Sequence, residues 1–252
     1  MRTLKSLIAV LALILSGCAT GTNPADPYES FNRSMYKFND SLDKAVGKPL
    51  AKGYAYVMPT IGKVMVSNFF SNLDDVVVTA NDLLQLKFRQ AASDGTRVIF
   101  NSTLGIFGLF NVTSRLEKHN EDFGQTLGYW GVGPGPYLML PLLGPSTVRD
   151  SAGMLVDTVP SQTDKITPVV TRNSLYLLNG INRRAQLLNN EKVMDDASLD
   201  RYEFLRNFYL LRRLNLVYDG DPPRQKYDDD GGGDTPDTPD TAAPASQTVP
   251  AK

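Results

Sequence analysis

The chain has 252 residues, 42% of them hydrophobic and 21% charged, with 26 Lys and Arg against 27 Asp and Glu for a formal net charge of -1. That length suits one large domain or two small ones, and the balanced charge leaves no basic face for nucleic acid. With one Cys, Cys18, and one His, His119, neither an internal disulfide nor a multi-His metal cage can be built.

Residues 1–17 carry Arg2 and Lys5, an apolar run from Leu7 to Leu15, and then Ser16-Gly17. This reads as a signal peptide, too short for a spanning helix of roughly 20 apolar residues. Leu15-Ser16-Gly17-Cys18 resembles the lipobox of bacterial lipoproteins, in which cleavage before the Cys exposes a thiol and an amine that take acyl chains. The resemblance implies diacylglycerol and acyl groups on Cys18, and no other cofactor. Each buried methylene adds about 0.8 kcal/mol to such an anchor. Ala19 in place of Asp after the Cys points, by the same resemblance, to the outer membrane. A free thiol ending an ordinary signal peptide is the alternative.

Residues 18–25 form a short lipidated tether, and the domain is expected to run from 26 to 218. Asp26-Pro27-Tyr28-Glu29 has the chemistry of a helix start, with Asp26 as cap. Behind it Tyr28, Phe31, Met35, Phe38, Leu42 and Ala45 recur at alternating three and four, with Asn32, Arg33, Lys37, Asp40 and Lys44 opposite, up to Pro49. Phe69, Leu73, Val76, Ala80 and Leu83 make a second stripe, and Phe88, Ala91, Gly95, Val98 and Ser102 a thinner third. Ile106 to Phe110 is apolar on more than one side, which fits a core segment and a membrane-boundary helix equally.

Between Gly124 and Gly144 the density of Gly and Pro forbids a long helix and predicts a structured loop or hairpin. Helical patterns resume over 172–188 and, after a Ser198 cap, over 199–215. Residues 219–252 hold 8 acids and 3 bases among Gly, Pro, Thr and Ala, and are expected to form a disordered low-complexity tail. Removing leader and tail leaves a mildly basic, mainly α body.

No catalytic motif survives inspection. Gly131-Val132-Gly133-Pro134-Gly135-Pro136 has Pro where a dinucleotide loop needs its third Gly. There is no G-x-S-x-G elbow, and His119 in Glu117-Lys118-His119-Asn120-Glu121 reads as a solvated loop residue. The pairs Asp74-Asp75, Glu121-Asp122 and Asp195-Asp196 read as helix starts or surface.

Three stretches carry a family resemblance. The run Asp26-Pro27-Tyr28-Glu29-Ser30-Phe31-Asn32-Arg33-Ser34-Met35-Tyr36-Lys37-Phe38-Asn39 resembles the opening of the MlaA (VacJ) outer-membrane lipoproteins. The block from Asp122 to Asp150, with Phe123-Gly124-Gln125-Thr126, Trp130-Gly131-Val132-Gly133 and Leu140-Pro141-Leu142-Leu143-Gly144-Pro145, is similar to the centre of that family. Arg184-Ala185-Gln186-Leu187-Leu188 matches a third stretch.

The resemblance implies a ring of amphipathic helices lying in the membrane leaflet around a central channel, with a Gly/Pro-rich hairpin loop. It implies a non-enzymatic channel that passes phospholipids misplaced in the outer leaflet of the Gram-negative outer membrane to an MlaC-like periplasmic carrier, beside a trimeric porin of the OmpC/OmpF kind. Phe38 and Asn39 become channel or gate candidates, and Gly131 and Gly133 hinge candidates. Arg149 is expected to pair with Asp150 or a neighbour. A lipoprotein that only scaffolds porins is the first alternative, and a phospholipase using His119 the second.

Overall fold

The computed structural model describes Asn23 and residues 26–189, 191 and 199–223. Cys18, Ser198, Asp195-Asp196 and residues 224–252 lie outside the described residues. The elements are α1 (Glu29–Leu42), a π-helical turn (Asp43–Gly47), α2 (Lys48–Val57), α3 (Thr60–Leu84), α4 (Phe88–Thr103), α5 (Phe123–Tyr129), β1 (Tyr137–Leu140), β2 (Gly144–Thr147), α6 (Val148–Asp157), α7 (Val169–Leu187) and α8 (Arg201–Val217). The mainly α class is observed, with one antiparallel hairpin pairing Tyr137 to Thr147 and Leu140 to Gly144 where Gly and Pro had excluded a long helix.

Several termini differ from the expectation. Asp26 does not cap α1, whose first residue is Glu29 and whose start has no side-chain cap. Its carboxylate is instead fully buried, accepting from Asn32 Nδ2 at 2.7 Å, from Arg206 Nη1 at 3.0 Å and from the Tyr202 hydroxyl. The helical path does not stop before Pro49. The π turn leads straight into α2, where Pro49 sits in the first turn and no backbone donor is missed. Asp200 caps α8, accepting from the amides of Tyr202 and Glu203, so that helix begins at Arg201. Asp219, expected to open the tail, holds Lys87 Nζ at 2.7 Å.

Element contacts form a closed series. α1 touches the π turn, which touches α2; α2 packs on α7, α7 on α3, α3 on α5 and α5 on α8. From α8 the series passes to β2, β1 and back to α1, which is the ring the family resemblance implied. α4 packs along α3, and α6 lies against α5 and β2. The α5 to α6 crossing is close enough that a β-carbon on Gly153 would fall 2.4 Å from the Gly124 amide nitrogen, so only glycine fits there.

Two asparagines seven residues apart on α1 fasten it to the hairpin. Asn32 donates to the Tyr137 carbonyl at 3.0 Å and accepts from the Met139 amide at 2.8 Å. Asn39 repeats this one heptad later, donating to the Leu140 carbonyl at 2.9 Å and accepting from the Leu142 amide at 2.8 Å. Each amide side chain thus satisfies the open edge of β1 as a neighbouring strand would. Beneath them Tyr137, Met139 and Tyr202 form a small buried cluster, with Tyr202 edge-on to Tyr36 and Tyr137 at 6.0 and 6.3 Å.

Replacing Asn32 with Ala strands two buried backbone groups and removes a donor from Asp26, so equilibrium denaturation should show a loss of about 2 to 3 kcal/mol. Asn39→Ala, at the more exposed end of the hairpin, should lose about 1 kcal/mol. Equal losses at the two positions would contradict this placement.

Candidate functional site: a polar cavity inside the helical ring

Burial is inverted relative to a water-soluble domain. Among the described residues 7 hydrophobic side chains are buried against 21 polar or charged ones, while 38 large hydrophobic residues are exposed. On α3 the buried positions are Phe70, Asn72, Asp75, Val78, Asn81 and Asp82, so the Phe69 to Leu83 stripe lies to the side or outside. On α4 they are Ala91, Asp94, Arg97 and Asn101, and Phe88 of the predicted stripe is exposed. Ile106 and Phe107 are neither core nor helix: both have positive φ in a turn and are more than half exposed. Among the described residues no helix is long and apolar enough to cross a membrane.

Many of the buried polar groups are joined in clusters. Arg97 Nε and Lys118 Nζ reach Asp75 at 3.1 and 2.7 Å. Asn81 donates to Asp157 at 2.9 Å and accepts from the Thr126 hydroxyl at 2.8 Å. Gln85 Nε2 and Lys87 Nζ both donate to Glu121, at 2.8 and 3.0 Å. The adjacent acids do point apart, but Asp75 and Glu121 are buried and paired rather than solvated. His119 is likewise no solvated loop residue: its Nδ1 lies 2.6 Å from Asp94, which is fully buried. Ser93, which shares a cleft with His119, donates to the Glu117 carbonyl at 3.3 Å.

Inside the ring lies an open cavity of about 500 Å³, lined from α3, α5, α6, α7 and α8. Its wall includes Asp74, Val77, Asp122, Asp157, Tyr176, Arg183, Arg212 and Arg213. Arg213 grips Asp122 through both terminal nitrogens at 2.5 and 2.9 Å and extends to Asp150 at 2.8 Å. Burial pushes the Asp122 carboxyl up, but Arg213 outweighs it and holds the group below the usual range. Burial raises Asp157 and Asp74 instead, against the hydrogen bonds of Phe123 and Asn81 and the charge of Arg183. Both signs of charge therefore line one water-accessible space.

The residues singled out from the sequence lie elsewhere. None of Phe38, Asn39, Gly131 and Gly133 lines this cavity. Phe38 is half exposed on α1, and Asn39 holds the hairpin. Gly131 has φ +88° just past α5, with its amide bonded to the Gly128 carbonyl and the Val132 amide to the Leu127 carbonyl. That is a Schellman closure, in which a left-handed glycine terminates the helix. Gly133 has no such angle, and nothing lies within 4 Å of a β-carbon there. Arg149 pairs with Asp150 at 3.1 Å, as expected, and also donates to the Val132 carbonyl at 3.3 Å, tying the loop to α6. The cavity-wall groups Asp157, Arg183 and Arg212 carried no sequence signal beyond their charge.

Gly131→Val should lower stability by about 1 to 2 kcal/mol through backbone strain, while Gly133→Val should leave the melting temperature within error. A second measurement concerns Asp82, whose buried carboxylate oxygens both lack a protein partner. Burial, with Asp94 and Glu121 nearby, pushes its pKa from 3.8 up to about 7. The unfolded chain ionises first, so Asp82 removes stability as pH rises from about 4 to 7. Asp82→Asn should therefore stabilise the protein more at pH 8 than at pH 5, by chemical denaturation. A pH-independent difference would refute the shift.

A protein-family profile described as MlaA lipoprotein matches residues 24–215. The chain is 34% identical over 233 residues to the "Intermembrane phospholipid transport system lipoprotein MlaA" of Escherichia coli (strain K12), covering 88% of this chain and 91% of that one. The protein of the same description from Haemophilus influenzae is 30% identical over 235 residues, covering 87% and 93%. A solved structure described as "Structural basis for maintenance of bacterial outer membrane lipid asymmetry" aligns with a TM-score of 0.69 and 32% identity, over 76% of this chain and 98% of that chain. The match spans the ring from α1 to α8, and the chain belongs to the MlaA lipoprotein family.

Proposed function

We propose that this protein is an outer-membrane lipoprotein of an intermembrane phospholipid transport system, and that it conducts phospholipids misplaced in the outer leaflet through its ring toward a periplasmic carrier. The observation that carries the reading is the inverted burial: a charged, water-accessible cavity inside and exposed hydrophobic side chains outside. A phospholipid moving between leaflets must keep its head group wet, because an unpaired polar group in hydrocarbon costs roughly 2 to 7 kcal/mol. Walls bearing Arg183, Arg212 and Asp157 offer the head group both signs of charge. The outward Phe, Leu, Ile and Val side chains suit a helical ring seated in one leaflet. The family relatives bear the same transport description.

In this reading acylated Cys18 anchors the chain, a trimeric porin flanks it and an MlaC-like protein takes up the lipid. The gate is the hairpin with its preceding loop. Asn39 on α1 holds one end of that unit, next to Phe38, and the Gly131 to Gly133 stretch supplies its flexible entry. The competing reading is a porin scaffold that conducts nothing.

Val77 faces the cavity from the middle of α3, so Val77→Trp narrows it without touching the ring joints. Cells carrying this variant in place of the wild type should accumulate outer-leaflet phospholipid and become detergent-sensitive, as a deletion strain would, with the lipoprotein still in the outer membrane. Wild-type leaflet composition in the Val77→Trp strain, with a deletion strain that does accumulate phospholipid, would favour the scaffold. Unchanged composition in both strains would remove the transport reading.

A further inference from the structure

We propose that the cleft between α4 and residues 115–119 binds a zwitterionic phospholipid of the surrounding leaflet, with its phosphate between Arg89 and Arg115 and its acyl chains along the apolar continuation of the α4 face. This cleft of about 640 Å³ shares no lining residue with the cavity inside the ring, and the proposal stands whether or not the ring conducts lipid.

Charge supplies the first argument. Arg33, Arg97, Arg149, Arg183, Arg184, Arg206 and Arg213 each contact a carboxylate. Among the described residues Arg89 and Arg115, like Arg172 and Arg212, have no carboxylate partner, and Arg89 and Arg115 line this one cleft together. Each planar guanidinium fork can donate two N–H bonds to the non-bridging oxygens of a phosphate diester. Glu117, on the same wall and 84% exposed, offers a carboxylate to a head-group ammonium.

The helix face supplies the second. Arg89, Ser93 and Thr96 follow one another at i, i+4 and i+7, and the same side continues through Ile99, Phe100 and Leu104. Those three are 62%, 46% and 66% exposed. From Arg89 to Phe100 the helix rises roughly 16 Å, so one face passes from cationic to apolar over the length of a lipid. A phospholipid lying along it satisfies both ends at once, whereas a free phosphate would use only the first.

Native mass spectrometry of the full chain in non-ionic detergent, titrated with phosphatidylethanolamine, tests the site. Arg89→Gln with Arg115→Gln should weaken retention of the tightest-bound lipid by about tenfold or more, and Arg89→Lys with Arg115→Lys by less. Glu117→Gln should reduce the preference for phosphatidylethanolamine over phosphatidylglycerol. Arg212→Gln, in the inner cavity, should leave this binding event unchanged. Thermal melts verify that each variant is folded. Equal retention by the wild type and the double Gln variant would overturn the proposal, as would displacement of the lipid by millimolar inorganic phosphate, which would mark a plain anion site.

Discussion

A guanidinium removed from water must be met by acceptors on every side it presents, and this requirement organises the ring. Arg213 on α8 is shared between Asp122, which caps α5, and Asp150 in the first turn of α6. Arg206 and Tyr202, about two and three turns earlier, close on Asp26 ahead of α1. Arg184 holds Asp43 in the π turn through two bonds of 2.8 Å, and Arg183 joins α7 to Asp74 on α3. Four ties across the ring thus carry an arginine on a carboxylate. Removing one partner of a buried pair leaves an uncompensated charge, which costs far more than the pair contributes while intact.

Cohesion of this kind fits a protein with hydrocarbon outside. Apolar burial cannot drive folding when the surroundings are themselves apolar, and the small cluster around Tyr137, Met139 and Tyr202 is correspondingly the only sizeable buried hydrophobic cluster among the described residues. Hydrogen bonds and ion pairs among buried side chains supply the cohesion instead. The same groups that hold the ring together also make its interior wettable.

How much of this was legible depended on what each signal encodes. Periodicity announced α1, α3, α4, α7 and α8, and the Gly and Pro spacing announced the hairpin, because these depend on local backbone chemistry. Periodicity does not say which face turns inward. On α3 the buried face carries Asn72, Asp75, Asn81 and Asp82 beside Phe70 and Val78, while most of the apolar stripe lies to the side or outside. Asp26 had all the local features of a cap and was drawn away by Arg206, 180 residues distant. Asn32 read as part of the polar face of α1 and Asn39 as a channel or gate candidate, since nothing in a helix sequence foretells a strand edge waiting opposite. Gly131 showed the need for a special angle, which its helix-closing role explains, while Gly133 shows no such demand.

The contact between Asp26 and Arg206 also bears on how the chain reaches this state. It joins the first described turn to the last helix, so the ring cannot close until nearly the whole sequence is in hand. Contacts of such long range form late and slowly, because the intervening loop must surrender its freedom before any bond repays it. Until α8 arrives, the Asp26 carboxylate lacks the Tyr202 and Arg206 donors that satisfy it in the closed ring. The last helix is therefore the latch of the ring, and a chain lacking it is left as an open horseshoe.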